Sequence, residues 1–144
     1  MKKMNNISLK LEKSEFDSVK IKSSEDAYDV IRKFYHEDVE MYESFFLLIL
    51  NRANKTTGYV KISQGGTSGT VVDPKIIAKY SIDSLAGGII IAHNHPSGQL
   101  MPSEADKGIT RKIKEGMLLF DIPLLDHLII TSEGFYSLTD NGYM

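Results

Sequence analysis

A chain of 144 residues fits one domain, and its 42% apolar and 25% charged content is that of an ordinary soluble globular protein with a self-sufficient core. Its net charge of −2 argues against a dedicated nucleic-acid-binding domain, whose phosphate contacts demand strong basicity. The absence of cysteine excludes disulfides, thiolate zinc sites and a cysteine nucleophile, and it suits a reducing compartment.

Residues 1–22 read as a polar N-terminal arm, solvated and irregular. Lys2, Lys3, Lys10, Lys13, Lys20 and Lys22 are interrupted by Glu12, Glu15 and Asp17, with one edge strand expected at 18–22. The lysines are not followed by an apolar stretch, so no signal peptide is expected, and no apolar run approaches the ~20 residues of a membrane span. These features predict a cytoplasmic protein. Ser23 reads as an N-cap, and Ala27, Val30, Ile31 and Phe34 at helical spacing predict a first helix to about Tyr35. The run SFFLLIL at 44–50 predicts a strand covered on both faces, a turn follows at 51–54, and a partner strand lies at 58–63. Gly65, Gly66 and Gly69 make a flexible or bulged stretch before 70–72.

Asp73-Pro74 reads as a cap followed by proline at the first helical position, opening a second helix with Ile76, Ile77 and Tyr80 on its apolar face. Gly87-Gly88 precedes a strand at 89–93. A Pro- and Gly-rich loop leads to a third helix from Ser103, with Ala105, Ile109 and Ile113 inward. A strand at 124–131, a turn at 132–134 and a short strand at 135–137 complete the chain. Strands alternating with helices, plus a terminal hairpin, predict a single layered α/β domain over 23–144.

The segment that carries chemistry is His93-Asn94-His95-Pro96-Ser97-Gly98, followed by Pro102-Ser103 and Asp106. Residues two apart on a strand share a face, so both imidazoles can aim at one point. Ser103 and Asp106 fall three apart in the first turn of a helix. Two imidazoles and a carboxylate are the ligand set of many catalytic zinc sites, with a fourth position left for water. Nitrogen and oxygen donors do not exclude manganese, cobalt or nickel, so zinc is a preference. Taken singly, the parts have plainer readings: His-x-His as surface histidine at a strand end, Ser103 with Asp106 as an N-cap pair. A carboxylate can both cap and ligate, so these readings are compatible. The nuclease motif suggested by His-Asn-His disperses its residues over a ββα unit, and a zinc deaminase would need cysteine ligands. Neither fits.

Written out, the pattern is H-x-H-x7-S-x2-D. With it the chain resembles the JAB/MPN metalloprotease superfamily, and more closely its RadC-like branch, through His93 to Gly98, Pro102-Ser103, Asp106 and Leu125-Asp126-His127. The resemblance covers residue 23 onward. It implies an α-β-α domain with a mixed sheet of the JAB/MPN, cytidine-deaminase-like architecture. It implies zinc on His93, His95 and Asp106, and a Ser103 hydroxyl that donates to an oxyanion or to the metal's water. The family's general base is a Glu before an apolar strand. Glu37, Glu40 and Glu43 compete on periodicity, and the family's E-x-F pattern matches Glu43-Ser44-Phe45. The implied activity is hydrolysis of a peptide or isopeptide bond.

The alternatives are a DNA-repair-associated protein, as the family label suggests, and a non-catalytic scaffold. The first is weakened by the net charge and by the expectation that the chain lacks the helix-hairpin-helix region of long RadC proteins; tight nucleic-acid binding is not expected. The second is weakened because scaffolds of this type lose ligands, whereas this motif is complete. Gly65, Gly66 and Thr67 resemble the family's glycine turn and read as a bulge bordering a substrate groove. Asp126 and His127 put two polar groups into an apolar strand. They read either as support for the metal ligands through a histidine N–H or as a structural hydrogen-bonded pair.

Overall fold

The computed structural model describes residues 1–66 and 69–144; Thr67 lies outside the described residues. Three helices, α1 (Ser24–Ile31), α2 (Pro74–Asp83) and α3 (Glu104–Leu118), pack on a sheet of β1 (Ser44–Leu50), β2 (Thr56–Gln64), β3 (Gly88–Asn94), β4 (Leu124–Ile130) and β5 (Phe135–Ser137). The strand order is β2-β1-β3-β4-β5. β3 and β4 are parallel and all other pairings antiparallel, so the sheet is mixed.

The alternation of side chains along β1 and β3 splits the core into two layers. Phe46, Leu48, Leu50, Ile90 and Ala92 meet Ala27, Val30 and Ile31 of α1. Phe45, Leu47, Ile49, Ile89 and Ile91 meet Ile77 of α2 and Ile113 and Met117 of α3. Both faces are therefore covered, which is why β1 carries no polar alternation.

The helices depart from expectation in detail. α1 stops at Ile31, and Arg32–Phe34 tighten into a 3-10 turn. Tyr35 is already extended, because its hydroxyl reaches across to the Ser44 carbonyl at 2.7 Å. On α2 the buried stripe is Ile77 and Ser81, while Ile76 is exposed. On α3 it is Thr110, Ile113 and Met117, and Ala105 in the first turn faces solvent. The expected edge strand at 18–22 is a single bridge, Lys20 to Lys55, flanked by backbone hydrogen bonds of Val19 and Ile21. The longest helix has 15 residues, and no helix among the described residues is long and apolar enough to cross a membrane.

Candidate metal centre

β3 delivers the two histidines. His93 ends the buried part of the strand on the α2/α3 side, stacked on Phe45 with ring centroids 5.9 Å apart and planes at 7°. His95 follows just beyond the strand, where its N–H bonds to the Ile130 carbonyl of β4 at 2.9 Å. Pro96 and Ser97 then form a tight turn closed by the Gly98 N–H on the His95 carbonyl at 3.0 Å. Proline suits the second position of such a turn. Gly98, at φ +84°, takes a backbone conformation that favours glycine. The turn brings the Gln99 carbonyl back to His95 Nδ1 at 2.6 Å. A carbonyl only accepts, so Nδ1 carries the proton.

α3 delivers the carboxylate. Ser103 caps the helix by accepting the Asp106 N–H at 3.0 Å, and Asp106 returns the bond by accepting the Ser103 N–H at 2.8 Å. The same carboxylate faces His93 Nε2 at 3.2 Å and His95 Nε2 at 3.3 Å. The two Nε2 atoms are themselves 3.0 Å apart. Asp106 thus serves as helix cap and as a member of the cluster at once. Among the described residues, His93, His95 and Asp106 form a group that could hold a metal ion, with one donor atom from each lying within 4.8 Å of the others.

The chemistry of this donor set fits a cation. With its Nδ1 protonated, a neutral His95 turns a bare lone pair toward His93 and a carboxylate. Such an arrangement is repulsive unless a proton or a metal ion lies within it. The Asp106 hydrogen bond raises the His95 pKa above the ordinary imidazole value against the opposing effect of burial. Burial pushes the Asp106 carboxyl up, but hydrogen bonds from His93 and His95 outweigh it and hold the group far below the usual carboxylate range.

Of the three competing glutamates, the structure brings Glu43 to this site. β1 and β3 pair without interruption from Phe45–His93 to Leu50–Gly88, and Glu43 and His95 each lie one residue beyond the ends of these strands. The Glu43 charge contributes to raising the His95 pKa. Glu37 and Glu40 lie exposed in a 3-10 turn, away from that register. The Glu43 carbonyl accepts the Gly65 N–H at 2.9 Å. A Cβ at Gly65 would lie 1.7 Å from the Gly69 carbonyl oxygen, so glycine is required where this segment passes Glu43.

Besides Gln99, sequence reasoning overlooked Asn94 and Thr110. Asn94, between the two histidines, points to the opposite face and is fully buried. It accepts the Ser44 N–H at 2.7 Å and donates to the Val39 and Tyr42 carbonyls at 2.7 and 2.9 Å. Thr110 lies one turn beyond Asp106 and contacts His127 Nδ1 at 2.5 Å. The signals were a polar residue in a buried strand and a threonine on the buried stripe of a helix.

Asp126 and His127 point to opposite faces and do different things. Asp126 accepts from Ser137 Oγ at 2.6 Å and from the N–H groups of His127 and Thr139, organising β5 and the C-terminal turn. His127 faces the cluster of His93, His95 and Asp106, its Nε2 2.8 Å from His93 Nδ1. Burial holds His127 well below the ordinary imidazole pKa, and neighbouring His93 adds to the effect.

A mixed α-β-α sheet presenting His-x-His and a helix-start Asp is the architecture of the JAB/MPN class. The model of the RadC-like JAB domain matches residues 21–143, and the chain belongs to that family. Among its relatives, a UPF0758 protein of Flavobacterium johnsoniae is 44% identical over 123 residues, covering 85% of this chain and 53% of the relative. The UPF0758 protein YfjY of Escherichia coli (strain K12) is 37% identical over 102 residues, 71% of this chain and 64% of that protein. A UPF0758 protein of Porphyromonas gingivalis is 38% identical over 103 residues, 71% of this chain and 45% of the relative. The chain spans about half the length of most of these relatives.

Proposed function

We propose that this domain is a metal-dependent hydrolase of amide bonds, acting on a peptide or isopeptide linkage, with zinc the preferred ion on His93, His95 and Asp106. The observation that carries the reading is the convergence of three lone-pair donors on one point, with Glu43 immediately before β1 and near enough for its charge to act on His95. A divalent cation held there would polarise a carbonyl and make water acidic enough to attack near neutral pH. Glu43 accepts the proton of the attacking water and passes it to the leaving nitrogen. The Ser103 oxygen already accepts the Asp106 N–H, which leaves its hydroxyl proton free for the developing oxyanion.

The test is metal content and cleavage measured together. Wild type, chelated and then dialysed against zinc, is expected to hold about one ion per chain and to cleave a member of a panel of peptides and ubiquitin-like conjugates. His95→Ala is expected to lose both. A wild type that takes up no zinc at neutral pH overturns the reading.

We further infer that nucleic acid is held weakly. Lys107, Arg111 and Lys114 share a groove along α3, but Glu115 lies among them and Glu104 sits 3.3 Å from the Lys107 ammonium.

A further inference from the structure

The imidazole of His93 has two nitrogens, and only one arrangement of its proton leaves Nε2 free to bind a metal. Its other nitrogen, Nδ1, faces not a carboxylate or a carbonyl but a second imidazole, which could donate or accept. What decides the direction lies two hydrogen bonds away. The Thr110 hydroxyl is 2.6 Å from the backbone carbonyl of Asp106. A carbonyl can only accept, so the single hydroxyl proton of Thr110 is committed to it. Toward His127 Nδ1, at 2.5 Å, the same oxygen can then only accept, and that nitrogen must carry a hydrogen. His127 is fully buried, which favours the neutral ring, and a neutral ring with its one hydrogen on Nδ1 has a bare Nε2. That bare nitrogen, 2.8 Å from His93 Nδ1, accepts a proton held there. A neutral His93 is left with a lone pair on Nε2, the atom that faces Asp106 and His95.

We propose that Thr110 and His127 are positioning residues that lock His93 in the tautomer able to ligate a metal, with the polarity of the chain set by the Asp106 backbone carbonyl. The inference rests on the reading of this cluster as a metal centre. It adds that Asp106 contributes twice: through its carboxylate directly, and through its main chain by way of Thr110, His127 and His93. His95 reaches the same end independently, through the Gln99 carbonyl. Donors of this kind behind a metal-bound histidine are typically worth about 10–100-fold in metal affinity.

Thr110→Val removes the hydroxyl while keeping β-branching and volume, and Thr110→Ser restores the hydroxyl. Two measurements are made on wild type and both variants. One is zinc affinity by chelator competition. The other is the His93 tautomer in metal-free protein, read from long-range nitrogen–proton NMR correlations at alkaline pH, where the ring is neutral. Wild type and Thr110→Ser are expected to hold the proton on His93 Nδ1, and Thr110→Val to mix tautomers and bind zinc about 10–100-fold more weakly. If Thr110→Val keeps a pure Nδ1–H tautomer, or binds zinc within about twofold of wild type with Thr110→Ser no different, the proposal is overturned. A wild type that binds no zinc fails the functional reading instead, and the tautomer measurement still decides this one.

Discussion

The side-chain oxygen of Asn94 accepts the backbone N–H of Ser44 at 2.7 Å, across a sequence separation of 50 residues. The Ser44 carbonyl is held in turn by the Tyr35 hydroxyl. The residue next to Glu43 is therefore gripped on both sides of its peptide, and one of the grips comes from between the two histidines. Asn94→Ala leaves the Ser44 N–H and two carbonyls without their buried partner. At about 1–3 kcal/mol for each group left unsatisfied, a stability loss of about 2 kcal/mol or more is expected in urea denaturation. Faster hydrogen exchange at Ser44 and readier proteolysis across 36–43 should accompany it. A loss under about 0.5 kcal/mol, in the range of an ordinary surface substitution, would mean the grip is idle.

Glu43→Gln separates chemistry from metal binding. The amide is nearly isosteric and cannot take a proton, and Glu43 is outside the ligand cluster. Zinc content is expected to stay at wild-type level while hydrolysis disappears. Full activity in Glu43→Gln, on a substrate that His95→Ala cannot cleave, would move the base to another residue.

Ser103→Ala removes the side chain that accepts the Asp106 N–H. Loss of an N-cap is expected to cost ~1 kcal/mol. Loss of an oxyanion donor is expected to slow hydrolysis by about 10²-fold or more with metal retained. Rates must be taken well below the melting transition to keep the two effects apart. An unchanged rate would confine Ser103 to capping.

How much of this was legible beforehand follows from how local each feature is. β1 has the bounds read from SFFLLIL, because a continuous apolar run is a local signal. The cap at Ser103 and the His-x-His pair are equally local. The choice among Glu37, Glu40 and Glu43 is not, since it depends on β1 pairing with β3 in one register. Periodicity leaves the three open, and only the family's E-x-F pattern selects Glu43 in the sequence. Asn94, Gln99 and Thr110 work through hydrogen bonds whose partners the fold supplies, so their composition carried little warning. Ile76 and Ala105 were misplaced because an apolar residue on a short helix does not say which way the helix is turned.

Asp126 offers a pH test. Burial raises its pKa above the ordinary carboxylate value, against hydrogen bonds led by that from Ser137. Its folded-state pKa therefore lies above the unfolded one, and the folded protein holds the proton more tightly. The stability this contributes is fully present below the unfolded pKa and is lost as pH rises through the folded pKa. Asp126→Asn cannot titrate, and the Ser137 hydroxyl can turn to accept from the new amide. The stability of wild type relative to Asp126→Asn is expected to fall as pH rises across that window. A difference that stays constant with pH would contradict the shift.

Nucleic-acid binding is expected to be weak and unspecific at physiological salt. Titration against duplex and single-stranded DNA measures it. Sub-micromolar affinity with a steep salt dependence would show that Lys107, Arg111 and Lys114 form a working phosphate surface.

The uninterrupted pairing of β1 with β3 fixes the ends from which Glu43 and His95 emerge, so their relation is a matter of counting. Lengthening the hairpin at 51–55 leaves it intact. A single residue gained or lost inside either strand, between Glu43 and Leu50 or between Gly88 and His95, turns one partner to the α1 side and parts the carboxylate from the histidines. The apolar character of SFFLLIL would hardly change, and the sheet could still form. Tolerance in this domain should therefore divide by kind of mutation. Exchanges of one apolar residue for another within β1 should survive while indels there do not, and the connecting loops should accept changes of length.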